Sequence, residues 1–448
     1  MKKIVIIGGS DVGISAALRI RELDKNTTVR IISNNRFPNY SICGIPFFIG
    51  GEVKHSTDLA HRTADDIRAK GIELLLENTA TCIDTSKKTV TALNGNGEET
   101  SLGYDKLVLG VGGRSIKPNI SGIDLSAVFF MRWIDDCLQF DSYLREEKPN
   151  SVVVVGGGYI GLEMAEALIR RGLSVTLVEF ADRILTTVDK EFSEIAKNKL
   201  EEKGVKVITG KAVQSITKKD NKLRVHTVPD HQMDADCVLV AVGAVPETAL
   251  AKKIGIITGI KNAIKVTSKM ETNISDIYAG GDCVESLHSI TQQHTYIALG
   301  TTAHKHGRII GENICGLNSE YPGTLGTQSI KLFDLVIART GLNDAEASAA
   351  GFDPHTVDFE TWDHKVYYQP AYKMRIHLTA DKRSKRILGC QISGNINAEI
   401  SKRIDIVASA IHKNVTIPEF IQMDLSYSPP LSSPWDPTQM AAQAWNPF

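Results

Sequence analysis

An α/β fold holding two Rossmann-like dinucleotide-binding units is what the sequence predicts, on three observations. A short apolar segment runs into a glycine turn and a helical pattern at Lys3–Leu23. The same order recurs at Ser151–Arg171. Each unit then reaches a second apolar segment, at Val29–Ile32 and at Val175–Val178. Apolar runs of this length suit strands buried on both faces of a parallel sheet, and their alternation with helices suits βαβ units.

The length of 448 residues suggests about three domains at roughly 100–200 residues each. Lys plus Arg is 51 and Asp plus Glu is 52, a net charge of −1. No charge excess draws the chain to nucleic acid or to an anionic membrane. The longest apolar stretch, Val152–Ile169, contains Glu163, Glu166 and several glycines, which makes it a poor membrane span. Met1–Gly9 is too short an apolar run for a secretory leader. The seven cysteines include no CxxC pair, which argues against a zinc ribbon, and no metal site is expected. Their scatter suits a reducing compartment, so a cytoplasmic location is expected.

In the first unit Lys3–Ile7 is a strand, Gly8-Gly9-Ser10-Asp11-Val12-Gly13 a turn, and Ile14–Leu23 a helix. A glycine turn that opens a helix offers free backbone N–H groups and a positive helix end to a pyrophosphate. Gly8 and Gly13 take the first and third positions of GxGxxG, with Ser10 in the middle. The acid expected after the second strand is missing. Ser33 and Asn34 stand there and offer hydrogen bonds to a ribose.

The second unit is complete. Gly156, Gly158 and Gly161 fill all three glycine positions, with Tyr159 and Ile160 between the last two. Glu179 ends the second strand. A carboxylate there accepts from both ribose hydroxyls and repels a 2′-phosphate. NADH is therefore expected, with NADPH left possible by the nearby Arg183. Two units imply two dinucleotides: FAD in the first, a nicotinamide nucleotide in the second. Leu107–Gly113, which includes Gly112, and Val238–Gly243 are apolar strands ending in glycine and read as crossings between domains. Ile277–Asp282 ends in Gly-Gly-Asp, where Asp282 can bond ribityl hydroxyls. Asn94-Gly95-Asn96-Gly97 reads as a hairpin turn.

In this order the motifs resemble the flavin-dependent pyridine nucleotide–disulfide oxidoreductases, over essentially the whole chain. Within that superfamily the chain is similar to the single-cysteine branch: coenzyme A-disulfide reductases, NADH oxidases and peroxidases, and persulfide reductases. Gly323–Thr327, Lys331–Phe333, Tyr427–Pro430 and Pro434–Pro437 resemble the branch's dimerisation domain. The resemblance implies an FAD domain at 1–115 and 243–322, an NAD(P)-binding domain at 116–242 and an α+β dimerisation domain at 323–448, assembled as a homodimer. It places FAD against Gly8, Ser10, Asp11, Gly13, Ser33, Asn34, Gly112, Asp282 and Ala298. It places NAD against Gly156, Gly158, Tyr159, Ile160, Gly161, Glu179, Gly243 and Glu163, the last matching the glutamate that approaches the nicotinamide.

Cys43, within Asn39–Phe48, is the expected redox centre. A helix starting near it is expected to lower its pKa. Two-cysteine enzymes have a partner five positions on, where this chain has Phe48. Cys43 therefore acts alone, through a mixed disulfide, a persulfide or a sulfenic acid. The other six cysteines read as structural.

Three departures bear on the substrate. Asp11 replaces the histidine of the NADH oxidases and peroxidases; its charge would raise the thiol pKa, which weakens oxidase chemistry. Glu22 replaces the arginine that meets a coenzyme A phosphate in coenzyme A-disulfide reductases, and Asn39 and Ile42, flanking Ser41, also differ. Arg19 and Arg21 on the same helix are expected to compensate. His304 stands where the branch has asparagine; it is expected near Cys43 as a proton donor. Tyr367, Tyr368 and Tyr427 align with tyrosines that approach the cysteine from the partner subunit. The expected activity is NAD(P)H-driven, FAD-dependent reduction of a small disulfide, persulfide or polysulfide. The alternatives are an oxidase using O2 and a reductase of a carrier protein. Neither nucleic acid nor membrane is an expected partner.

Overall fold

The computed structural model describes residues 1–229 and 231–446; residues 447–448 of the expected last domain lie outside them. Its frame is three five-stranded sheets. The first is parallel, in the order 277–279, 106–109, 3–7, 28–32, 72–75. The second is parallel too, in the order 206–208, 174–178, 151–155, 237–240, 128–130. In both, the strand that leads into the glycine turn is central, with its apolar residues covered on both faces.

Both helices start earlier than their apolar periodicity suggests. The first spans Asp11–Leu23 and the second Tyr159–Arg170. The i to i−4 bonding begins within the glycine turn itself, at Ile14 N–H to Ser10 and Leu162 N–H to Gly158. Three residues, Asp11-Val12-Gly13 in one and Tyr159-Ile160-Gly161 in the other, thus belong to the helix before its apolar periodicity begins. Helix Asp11–Leu23 packs tightly on helix Gly300–Ile314. A Cβ on Gly307 would stand 2.5 Å from the Val12 carbonyl oxygen.

Strands Gly113–Ser115 and Ala244–Pro246 lie side by side, antiparallel. These are the segments that leave the first sheet and return to it. Asn94–Gly97 joins strands Thr89–Asn94 and Glu99–Gly103 of a three-stranded antiparallel sheet.

The third five-stranded sheet is antiparallel, in the order 328–332, 335–341, 387–395, 373–381, 354–362. Helix Ile400–His412 covers it; Ile376, Leu378, Ile392 and Val407 form its core. Its first two strands also share a core with the second unit, where Ile330, Leu332 and Ile337 join Leu162, Leu168 and Phe192. The same core takes in Ile45, Phe48 and Ile49. The segment after Cys43 is thereby anchored to two other regions of the fold. No helix among the described residues is long and apolar enough to cross a membrane.

Candidate active site

Cys43 sits in the one-turn 3-10 helix Ile42–Gly44, which runs into helix Ile45–Ile49 with Pro46 in its first turn. The thiol lines a cavity of about 560 Å³. Among the segments that meet there are Ser10 and Asp11 from the first turn, Ser41 and Ile42 beside the cysteine, Tyr159, Ile160 and Glu163 from the second helix, Asp282 and its two glycines, and Ala298 with His304. A second cavity of about 530 Å³ is lined by Gly8, Ser33, Asn34 and Asn78–Thr81. The two share Ser10, Gly110 and Trp133. Together they form one groove across the first glycine turn, with Cys43 at one end and Ser33 and Asn34 at the other.

The groove is shaped for a long ligand. Gly8, at φ +118°, admits the close pass of Gly110: a Cβ would stand 2.0 Å from its carbonyl oxygen. A Cβ on Gly13 would stand 1.9 Å from the Gly8 oxygen. Gly112 adopts φ +67° beside the Trp133 ring. Asp282 accepts a hydrogen bond of 2.6 Å from Arg132 Nη2, and Arg132 Nε is buried with no partner among the described residues. An orphaned guanidinium nitrogen in a dinucleotide-sized groove is what an absent polar ligand leaves behind. These residues fit FAD. On the second unit, Glu179 accepts from Gly157 N–H at 2.5 Å and from Ala181 N–H at 2.7 Å, so its carboxylate lies against the glycine turn. Arg183 donates instead to the carbonyl of Val188 at 2.6 Å. Gly243, at φ +100°, ends the neighbouring strand.

The electrostatics correct one expectation. The Cys43 thiol is raised above its ordinary pKa, not lowered. Burial is the largest cause; Glu163, Asp11 and Asp282 add to it, and Arg132 opposes it. The helix that follows has only five residues, too few for a strong macrodipole. Burial beside Glu166 pushes the Glu163 carboxyl up to about 7. Asp11 is also raised, chiefly by burial, with His304 and His61 pulling it down and Asp282 adding to it.

The other candidate residues are placed as follows. Asn39 does not line the cavity. It is 1% exposed and takes a left-handed φ of 56°, with Oδ1 3.4 Å from Arg62 Nη1 and Nδ2 without a partner among the described residues. Arg19 is bonded to Glu22 and to Glu312 at 2.9 and 2.8 Å. Arg21 donates to the carbonyls of Lys70, Lys25 and Thr27. Arg19 thus offsets Glu22 while shared with Glu312, and only Arg21 is committed elsewhere. Tyr367 and Tyr427 lie away from the cavity of their own chain, 75% and 44% exposed, and hydrogen-bonded to each other. His304 does line the cavity. Its Nδ1 meets Ser15 Oγ at 2.8 Å and its Nε2 stands 3.5 Å from Asp11 Oδ1.

Sequence reasoning missed Arg132, Trp133 and His61, all of which line the cavity. None lies in a motif. Arg132 and Trp133 follow strand Val128–Phe130 of the second sheet, and only tertiary folding brings them to the first unit.

Residues 2–307 match the pyridine nucleotide-disulphide oxidoreductase family, and residues 327–437 match its dimerisation domain. An NADH oxidase of Methanocaldococcus jannaschii is 34% identical over 443 residues, 98% of each chain. An NAD(P)H sulfur oxidoreductase (CoA-dependent) of Pyrococcus furiosus is also 34% identical, over 99% of this chain and 98% of its own. Among solved structures, an NAD-dependent persulfide reductase from A. fulgidus superposes with a TM-score of 0.95 at 36% identity, covering 99% of this chain and 82% of that one.

Proposed function

The chain belongs to the pyridine nucleotide-disulphide oxidoreductase family, and from that premise we propose that it uses NAD(P)H and FAD to reduce a small disulfide, persulfide or polysulfide at Cys43. One observation carries this reading: Cys43, Glu163 and Asp282, from three distant segments, line a single cavity, and Phe48 stands where a second cysteine would be. FAD, when bound, supplies the two-electron relay between nicotinamide and thiol. Gly8, Ser10, Gly13, Ser33, Asn34, Gly112, Asp282 and Ala298 would hold it. Gly156, Gly158, Gly161, Tyr159, Ile160 and Gly243 would hold the nicotinamide nucleotide. Glu179 favours NADH, because its carboxylate faces the turn while Arg183 is turned to a carbonyl.

Chemically, the Cys43 sulfur attacks one sulfur of the substrate and forms a mixed disulfide or persulfide. The other half leaves as a thiolate and takes a proton. His304, whose Nε2 stands 3.5 Å from Asp11 Oδ1, is the imidazole of this cavity that would supply it. Two electrons from NAD(P)H, which FAD would relay, then cleave the new S–S bond, restoring the Cys43 thiolate and releasing the second half of the substrate as a thiol, or as hydrosulfide from a persulfide. Glu163, with its carboxyl pushed up to about 7, is only about half ionised near neutral pH. That lessens the negative charge it adds beside Asp11 at the thiol.

Domain bounds, assembly and location complete the proposal. The FAD domain comprises 1–115 and 243–322, the NAD(P) domain 116–242 and the dimerisation domain the rest. The exposed aromatic group Trp362, Tyr367, Tyr368, Tyr427 and Trp435 suits a homodimer contact. The cytoplasm is the proposed location. The similarity to an NADH oxidase supports a second reading, with O2 as acceptor.

The test is NADH oxidation, with and without O2, against coenzyme A disulfide, coenzyme A persulfide and polysulfide. Turnover with one of these, lost in Cys43→Ser by about a hundredfold or more, is expected. Full activity of Cys43→Ser toward every sulfur substrate would overturn the proposal. NADH consumption that requires O2 and no thiol would favour the oxidase.

A further inference from the structure

Three carboxylates face the Cys43 thiol: Glu163, Asp11 and Asp282. One guanidinium, Arg132, also faces it. The three acids are not alike. Asp282 is already bonded to Arg132 at 2.6 Å. Glu163 is pushed up to about 7 by burial. Asp11 is raised by burial too, but it has a histidine against it, with His304 Nε2 3.5 Å from its Oδ1. Its neighbours are His304, His61 and Asp282.

The geometry singles out His304. Asp11 and Ser15 lie four residues apart on helix Asp11–Leu23, and so on one face. His304 projects from helix Gly300–Ile314, which packs against that face. Ser15 Oγ meets Nδ1 at 2.8 Å while Nε2 stands 3.5 Å from Asp11 Oδ1. A hydroxyl both donates and accepts. Ser15 can therefore donate to a neutral imidazole at Nδ1 or accept from a protonated one. In either state the Nε2–H remains on the side of Asp11.

We propose that His304, held by Ser15, compensates the charge of Asp11 and thereby sets how readily Cys43 ionises. Asp11 and His304 act as one unit on the thiol, and Ser15 is a positioning residue. The functional consequence rests on Cys43 being the redox thiol; the coupling itself does not. A protonated His304 beside Asp11⁻ presents the thiol with a near-neutral pair. A neutral His304 leaves a negative charge that favours the thiol over the thiolate.

The test is the rate of Cys43 alkylation by iodoacetamide against pH, read by mass spectrometry in the FAD-loaded protein. It uses a Cys82→Ser background, because Cys82 is the other exposed cysteine. Flavin absorbance checks that each variant still holds its cofactor. Asp11→Asn is expected to speed alkylation at fixed pH about threefold to tenfold, and His304→Asn to slow it by a similar factor. In Asp11→Asn/His304→Asn the histidine effect should vanish, leaving the rate of Asp11→Asn alone. Ser15→Ala should slow the reaction in the same direction, and Ser15→Thr should restore it. If His304→Asn folds poorly, His304→Gln serves in the same cycle. A histidine effect that persists in the Asp11→Asn background overturns the proposal, as does an unchanged rate in every variant. The readout is thiol ionisation and not turnover. A failure here leaves the reductase reading standing, and an active Cys43→Ser leaves this coupling intact.

Discussion

The two dinucleotide units are near copies whose differences separate what a fold requires from what a ligand requires. Each has the glycine-turn strand at the centre of its sheet, the second βαβ strand on one side and a later strand on the other. In each, the first and third glycines are demanded by the backbone. A Cβ on Gly13 would stand 1.9 Å from the Gly8 carbonyl oxygen, and one on Gly161 stands equally close to the Gly156 oxygen. The middle position behaves otherwise. A Cβ on Gly158 meets nothing within 4 Å among the described residues, and the first unit has Ser10 there. The middle glycine answers to a close-lying ligand and not to the chain.

Two residues beyond the third glycine the copies diverge again. The second unit has Glu163, facing the central cavity. The first has Ser15, bonded to His304. Both positions serve the same space from opposite sides, one with a carboxyl held near neutral and one with a hydroxyl that orients a histidine.

The largest effect should come from the backbone-demanded glycines. Gly161→Ala is expected to cost about 3 kcal/mol or more, because the clash is with a carbonyl that cannot move without breaking the turn. Thermal unfolding measures this. A loss below about 1 kcal/mol would mean that the third glycine is not what closes the helix onto the strand.

An intermediate effect is expected at Glu163. Its folded pKa of about 7 lies above the ordinary 4.5. The ionised carboxyl therefore costs stability, a cost absent below about 4.5 and complete above about 7. Glu163→Gln should stabilise the protein on the order of 1–3 kcal/mol at about pH 8, and much less at about pH 5. It should also remove an inflection near 7 from the pH profile of NADH-driven turnover. Equal stabilisation at both pH values would show that the carboxyl is not held up by burial.

The smallest effect should be Gly158→Ser, which gives the second turn the residue of the first. Serine is a good cap at this helix start, so stability should change by less than about 0.5 kcal/mol. The KM for NADH should rise about threefold to tenfold with kcat nearly unchanged. If stability falls as far as in Gly161→Ala, the distinction between the two glycine roles is lost.

Much of the site was legible because it is written in short segments. The glycine turns, Glu179, Gly-Gly-Asp at Asp282 and the lone Cys43 each carry their chemistry in a few neighbouring residues. Asn39 was misjudged because its left-handed φ of 56° turns an otherwise ordinary loop position inward. Arg21 was misjudged because its partners are the backbone carbonyls of Lys70, Lys25 and Thr27, which no residue type announces.

What the sequence determined by itself was the pair of βαβ units, the cysteine that lacks a partner and the residues that border them. These depend on local spacing and on chirality, which act over a few residues. Only the tertiary structure decided the rest. The outermost strand of the first sheet, Ile277–Ala279, comes from far beyond that unit, whereas that of the second, Val128–Phe130, precedes it. Arg132 reaches Asp282, and His304 reaches Asp11, across the same interfaces. The direction of the Cys43 shift was decided there too. A short helix acts on the thiol through one weak dipole, while burial and three carboxylates from distant segments act on it through a low-dielectric cavity.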